Sequence, residues 1–332
     1  MQKALITGIT GQDGAYLAKS LLEKGVKVIG GQRRSTTIRY WRLDEMGITK
    51  DIEFVELDLL DHANIRRAVE KVEPDYFYNL AAQSFVGLSF EQPELTTLID
   101  AVGVLRCLEA IKQVNHKIKF YQASSSEQFG EVQEVPQNEN TKFWPRSPYA
   151  CAKVFGHNIT VNYRESYNMF ACCGILFNHE SPHRGEEFVT RKISKGIASW
   201  LINHEPIVLG NLEAKRDWGH AEDFVEGMQL MMNYEKPDNF VLATGEVHSI
   251  RDFVDLALDS QGIKHYWEID NCFSEDKKLI VTTDKRFFRP AEVNLLQGDS
   301  RKARETLGWQ PKHTLKTLVQ EMVDKDISRL SG

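Results

Sequence analysis

The chain has 332 residues, and its 41 Lys and Arg against 47 Asp and Glu give a net charge of −6, so there is no overall basic footprint of the kind nucleic acid binding needs. No apolar run approaches the roughly 20 residues that span a bilayer. The first strand pattern starts at Lys3, leaving no room for a signal peptide, and this predicts a soluble, cytoplasmic protein. Five cysteines (Cys107, Cys151, Cys172, Cys173 and Cys272) form no Cys-x-x-Cys pair and read as reduced, mostly buried thiols.

In chain order, Lys3 to Thr7 reads as a short apolar strand. Gly8-Ile9-Thr10-Gly11-Gln12-Asp13-Gly14 follows, and then an amphipathic helix over Ala15 to Lys24 with Leu17, Leu21 and Leu22 at helical spacing. Strand, glycine turn and helix are the dinucleotide-binding arrangement, in which the pyrophosphate meets backbone and a helix N-terminus. The spacing is G-x-x-G-x-x-G, the form used by extended short-chain dehydrogenase/reductase enzymes. A second strand, Lys27 to Gly30, leads into Gly31-Gln32-Arg33-Arg34-Ser35-Thr36. An acidic residue there would suit an NAD ribose, whereas arginine accommodates a 2′-phosphate, so NADP is expected. The run Arg33 to Arg42 is also a candidate subunit contact.

Strands and helices then alternate: strand Ile52 to Leu57 ending at Asp58, helix Asn64 to Val72, strand Asp75 to Leu80, helix Leu98 to Gln113, and strand Lys119 to Ala123. The long Tyr149 helix and strand Phe170 to Phe177 complete the series. This alternation predicts an α/β fold, a Rossmann-type doubly wound parallel sheet, whose ligands bind at the carboxyl ends of the strands. Asp58, Ala81 to Ser84, Ser124 to Glu127 and Asn178 all fall at such ends. Tyr149 and Lys153 are i and i+4 on one helix face. A Lys ammonium beside a phenol favours the phenolate, which makes Tyr149 a candidate general base. Glu127 adds a carboxylate to the pair.

Beyond Asn178 the pattern becomes irregular, and a second α/β domain woven from several excursions is expected. The boundaries are 1–177 plus about 218–248 for the first domain, and about 178–217 plus 249–332 for the second. Arg216-Asp217-Trp218 and Arg286-Phe287-Phe288-Arg289-Pro290-Ala291-Glu292 place charge beside aromatics there, suited to a nucleotide diphosphate. His179-Glu180-Ser181-Pro182-His183 satisfies H-E-x-x-H. Proline at its fourth position argues against the helix a zinc site of this kind needs, so no metal is expected.

These motifs, with Leu80-Ala81-Ala82-Gln83-Ser84, Pro145-Arg146-Ser147-Pro148-Tyr149, Val161 to Glu165, Gly174 to Pro182, Phe188 to Lys192, Arg216 to Gly219 and Ala243-Thr244-Gly245, resemble the GDP-mannose 4,6-dehydratases over nearly the whole chain. The resemblance implies NADP as cofactor, GDP-mannose as substrate, and a homo-oligomer, commonly a tetramer assembled through the Arg-rich loop. It carries over Ser125, Ser126, Glu127, Tyr149 and Lys153 as catalytic. Cofactor contacts carried over are Gly8, Thr10, Gly11, Gln12, Asp13, Gly14, Arg33, Arg34, Ser35, Asp58, Leu59, Leu80, Ala81, Ala82, Gln83, Ser84, His179 and Arg184, with Tyr149 and Lys153 again. Asn178, Lys192, Arg216, Arg289 and Glu292 are carried over as substrate contacts.

In the implied reaction Tyr149 takes the C4 hydroxyl proton as hydride leaves C4, the new ketone acidifies C5, Glu127 removes the C5 proton, water leaves C6, and hydride returns there. An epimerase or reductase would keep Tyr149 and Lys153 without needing Glu127. The alternative is a dehydratase for a related GDP-sugar such as a GDP-heptose. Two departures stand out: Ser125 where the family usually has threonine, and Leu95 where relatives can carry a cofactor-contacting tyrosine.

Overall fold

The computed structural model describes residues 1–37, 40–287, 293 and 295–331. Six strands build most of the main sheet: β1 (Lys3–Thr7), β2 (Lys27–Gln32), β3 (Glu53–Glu56), β4 (Tyr76–Asn79), β5 (Lys119–Ser125) and β6 (Ala171–Leu176). The strand Asn239–Leu242 adds a seventh beside β6, and the order across the sheet is β3, β2, β1, β4, β5, β6, Asn239–Leu242, parallel throughout. The chain therefore reverses its direction of travel between β1 and β4. At such a switch point the loops after the two strands splay apart and leave a crevice.

The pleat explains why these strands read as continuous apolar runs. Ala4 and Ile6 of β1 pack on one face with Leu17, Leu21, Phe224, Met228 and Trp309. Leu5 packs on the other with Ile65, Val69, Leu108 and Ile111. Both faces are covered, so both sets of alternate residues must be apolar.

The remaining strands are short. His265–Glu268, Asn271–Ser274, Leu279–Thr283 and Ile207–Leu209 form a four-stranded sheet, and His248–Ser249, Lys215–Arg216 and Leu295–Leu296 a three-stranded one. A separate core of Ile197, Trp200, Trp218, Phe253, Ile280 and Met322 holds the four-stranded sheet to the helices Val189–Asn203, Ile250–Ser260 and Leu315–Ser331. Four cysteines are buried, Cys151 is exposed, and none is in a disulfide.

One expected helix is interrupted. Leu98–Val102 is a π turn, and the α-helix proper starts at Gly103 and runs to Asn115. The apolar spacing does not reveal this, because a π turn inserts a residue without removing any apolar position from the helix face.

Candidate active site

The glycine turn is shaped by backbone crowding. Gly8 has φ +70°, and a Cβ there would lie 2.8 Å from the Ala81 nitrogen; a Cβ on Gly14 would lie 2.3 Å from the Gly8 carbonyl oxygen. Only glycine lets β1, the loop after β4 and the helix Gln12–Glu23 close up this tightly. Beneath the turn, the Thr7 hydroxyl accepts from the Leu80 and Ala81 N–H groups, both at 3.1 Å, and donates to Asn79 at 2.7 Å. The two strands of the switch point are thereby tied together.

The helix Pro148–Tyr167 has a well-defined start. The Ser147 hydroxyl caps it by accepting from the Ala150 N–H, and Pro148 occupies the first turn. Tyr149 and Lys153 consequently sit in its first two turns, above β5. There β5 ends in a 3₁₀ turn, Ser126–Gln128, and the Ser125 hydroxyl caps that turn by accepting from the Glu127 N–H at 3.2 Å. The capping oxygen is common to serine and threonine, so the departure at this position leaves the local structure intact.

A cleft of about 1090 Å³ opens over these elements. Its walls include every cofactor and catalytic position carried over from the resemblance except Arg34, and among the substrate positions Asn178. Lys192 and Arg216 lie outside the lining. The Lys192 ammonium sits 3.8 Å from the Phe287 ring centroid, and Arg216 is buried on the strand Lys215–Arg216. Arg289 and Glu292 lie outside the described residues, as does Arg39 of the Arg33 to Arg42 run. Leu95 lines the cleft.

Two expectations need correction. Lys153 does not bring Tyr149 toward the phenolate in this arrangement. Burial raises the Tyr149 hydroxyl well above its usual range, the Asp100 and Glu127 charges push the same way, and the Ser125 hydroxyl and Arg184 only partly oppose them. The Lys153 ammonium donates to the Ala123 carbonyl at 3.0 Å and stands 5.6 Å from the Tyr149 ring centroid. Its own pKa is lowered by burial, with Asp100 and Asp13 working the other way.

Second, Asp217 and Trp218 do not face a ligand. The fully buried Asp217 carboxylate accepts from the N–H groups of Thr244, Gly245 and Gly298 and from the Thr244 hydroxyl, and Trp218 packs edge-on against Phe253. Arg286, in the other aromatic and charged segment, pairs with Asp284. In the Arg33 to Arg42 run, the Arg42 guanidinium donates to the carbonyls of Thr10 and His183, and among the described residues Arg33 and Arg34 are exposed.

The H-E-x-x-H residues are not helical: Asn178–Glu180 is a strand and the chain turns after it. His179 pairs with Asp13 at 2.8 Å and His183 with Glu45 at 2.9 Å, so the two histidines serve different partners.

Sequence reasoning missed Asp100. It is 1% exposed on the π turn; one carboxylate oxygen accepts from the Gln83 N–H at 2.8 Å, and its charge reaches Lys153 and Tyr149. Burial raises its pKa to about 6, with Lys153 and the Gln83 N–H pulling it down. The available signal was an acidic residue on the apolar side of the helix Leu98 to Gln113.

The parallel sheet, the glycine turn and the Tyr149–Lys153 helix face together define an extended short-chain dehydrogenase/reductase. Over 99% of this chain and 98% of the other, the backbone matches a Streptomyces venezuelae dTDP-glucose 4,6-dehydratase solved with NAD and TYD bound, at a TM-score of 0.84 and 19% identity. The family model for GDP-mannose 4,6 dehydratase matches residues 5–322. GDP-mannose 4,6-dehydratase of Yersinia enterocolitica is 48% identical over 99% of this chain and 95% of its own length. The human enzyme is 48% identical over 98% of this chain and 91% of its own length. The chain belongs to the GDP-mannose 4,6-dehydratase family.

Proposed function

We propose that this protein is an NADP-dependent GDP-mannose 4,6-dehydratase, a lyase that converts GDP-D-mannose to GDP-4-dehydro-6-deoxy-D-mannose and water. The observation that carries this reading is a carboxylate, Glu127, that lines one cleft together with Tyr149 and Lys153. Oxidation and reduction alone need only Tyr149 and Lys153; an elimination needs a further base.

A dinucleotide fits the cradle. Gly8 and Gly14 leave no room for side chains, and the helix N-terminus at Gly11 has no side-chain cap to occupy its N–H groups. Gly8, Gly11, Gly14, Ala81 and Gln83 would hold the backbone of the cofactor, while Arg33 and Ser35 at the end of β2 supply donors for a 2′-phosphate. When bound, the nicotinamide supplies the hydride acceptor for C4 and the donor for C6.

The side chains divide the proton transfers. Tyr149 takes the C4 hydroxyl proton. Its high pKa makes the phenolate a strong base but costly to form, and the Ser125 hydroxyl and Arg184 charge offset part of that cost. Lys153, held on the Ala123 carbonyl, places its amino group within the same site. Glu127, lifted by the capped 3₁₀ turn, is the base for C5, where the adjacent ketone has acidified the proton. We further propose that the protein is a homo-oligomer, commonly a tetramer in this family, in which the exposed Arg33 and Arg34 take part in subunit contact.

Purified protein incubated with GDP-mannose should yield a nucleotide sugar lighter by one water. In Glu127→Gln, dehydration should fall by about 10²–10⁴, the usual worth of a general base, while exchange of hydride at C4 persists. An unchanged dehydration rate would remove Glu127 from this role. Absence of any lighter product from GDP-mannose would overturn the substrate.

A further inference from the structure

The π turn Leu98–Val102 and the helix Pro148–Tyr167 meet so closely that a Cβ on Gly156 would lie 3.1 Å from the Asp100 carbonyl oxygen. Lys153 lies three positions before Gly156 on the same helix face, which puts its side chain at this crossing. Asp100 also helps to grip Gln83: the Gln83 N–H donates to Asp100 Oδ1 at 2.8 Å, and the Gln83 side-chain nitrogen donates to the Thr96 hydroxyl at 3.1 Å. The Asp100 side chain is thus fixed outside the lining of the cleft, yet its Oδ2 is buried with no hydrogen-bond partner among the described residues. An unmatched carboxylate oxygen in the interior is costly. Asparagine would accept the same Gln83 N–H without burying a charge.

We propose that Asp100 is a positioning residue for the catalytic pair: from behind the cleft wall, its carboxylate is the counter-charge that keeps Lys153 an ammonium on the Ala123 carbonyl. Only the kinetic test of this role rests on the dehydratase reading above. Burial drives Lys153 toward its neutral form, and Asp100 is the first charge opposing it, followed by Asp13. Burial also raises the Tyr149 pKa; Asp100 and Glu127 add to that, and the Ser125 hydroxyl and Arg184 oppose it. For Asp100 itself burial prevails over Lys153 and the Gln83 N–H, and raises the carboxyl to about 6. Because this lies above the unfolded value near 3.9, the ionised carboxyl lowers stability above about pH 6, and the cost is gone below about pH 4.

Asp100→Asn keeps the acceptor for Gln83 and removes the charge. In the unliganded protein its urea midpoint should lie above that of the wild type near pH 8, and the gain should vanish near about pH 4.5. A difference between the two proteins that does not change with pH would overturn the buried charge. Lys153→Met should cost more in midpoint in the wild-type background than in the Asp100→Asn background; equal shifts would show that the two charges do not meet, and refute the proposal. In the reaction, loss of the Asp100 charge lowers the pKa of both Lys153 and Tyr149. The pH profile of kcat/KM for GDP-mannose should therefore move down as a whole by about one pH unit or more. A profile that falls in height but keeps its position would mark a merely structural effect and count against Asp100. A wild type that makes no product from GDP-mannose would instead sink the dehydratase reading, and the midpoints would still decide the role of Asp100.

Discussion

Replacing Arg191 with methionine should destabilise the protein and loosen its cofactor site together. Arg191 is buried with Asp326 of the last helix: its Nε donates to Asp326 Oδ2 at 2.8 Å, and Nη2 stands 2.6 Å from Oδ1. The side chains are 4% and 2% exposed. Nη1 also donates to the carbonyls of Pro182 and Arg184. Removing one partner of such a pair costs about 3–5 kcal/mol, mostly from the charge left buried. Asp326 retains Ser194 at 2.7 Å and Arg329 at 3.1 Å, which places the cost at the lower end, about 3 kcal/mol. With an unfolding entropy of about 2.1 cal/mol/K per residue, a chain of this length should lose about 4 °C in Tm by circular dichroism. The control is Arg191→Met with Asp326→Leu. That double variant removes the orphaned charge and should recover at least about 1 kcal/mol. A single variant that melts within about 1 °C of wild type, or a double variant no better than the single, would refute the reasoning.

Gly14→Ala places a methyl 2.3 Å from the Gly8 carbonyl oxygen and 2.7 Å from the Ile9 Cα, both backbone atoms that cannot swing aside. The folded variant should retain at least about tenfold less NADP through gel filtration; retention equal to wild type would contradict the cradle. Asp13 makes a second prediction, on acid stability. Its folded pKa of about 2 lies below the usual value near 3.9, so its contribution is present above about pH 4 and is lost as pH falls toward 2. The wild type should therefore lose about 2 kcal/mol more than Asp13→Asn between those limits, measured by urea midpoints. Parallel losses in the two proteins would contradict this.

The sheet was legible because its physics is local. Each of β1 to β6 carries an apolar run bounded by turn residues, and the Pro148 and Ser147 signals mark the helix that carries Tyr149 and Lys153. What the sequence hid depends on groups brought from far away. Asp217 looks like a ligand residue until Thr244, Gly245 and Gly298 surround it. Arg42 looks like a surface cation until it is seen on the carbonyls of Thr10 and His183. The Tyr149 pKa was misjudged because helical spacing reveals a neighbouring ammonium but not burial, and burial is the larger effect here. Asp100 was hidden by the π turn, which points an acidic residue inward from an otherwise regular helix.

The arginines on the Pro182–Arg184 turn bear on the order in which the molecule can be completed. Arg329 reaches back 147 positions to the Pro182 carbonyl, and Asp326 anchors Arg191 from 135 positions away. On a ribosome emitting about 5–20 residues per second, the glycine turn and the first strands can assemble many seconds before the bracing helix Leu315–Ser331 exists. During that interval a nascent chain would have the floor of the nucleotide cleft and a turn around Arg184 tied to Arg42, but without the Arg329 bond to Pro182 or the Asp326 anchor of Arg191. The last brace on the cleft would thus arrive with the last helix, and not grow in step with the sheet.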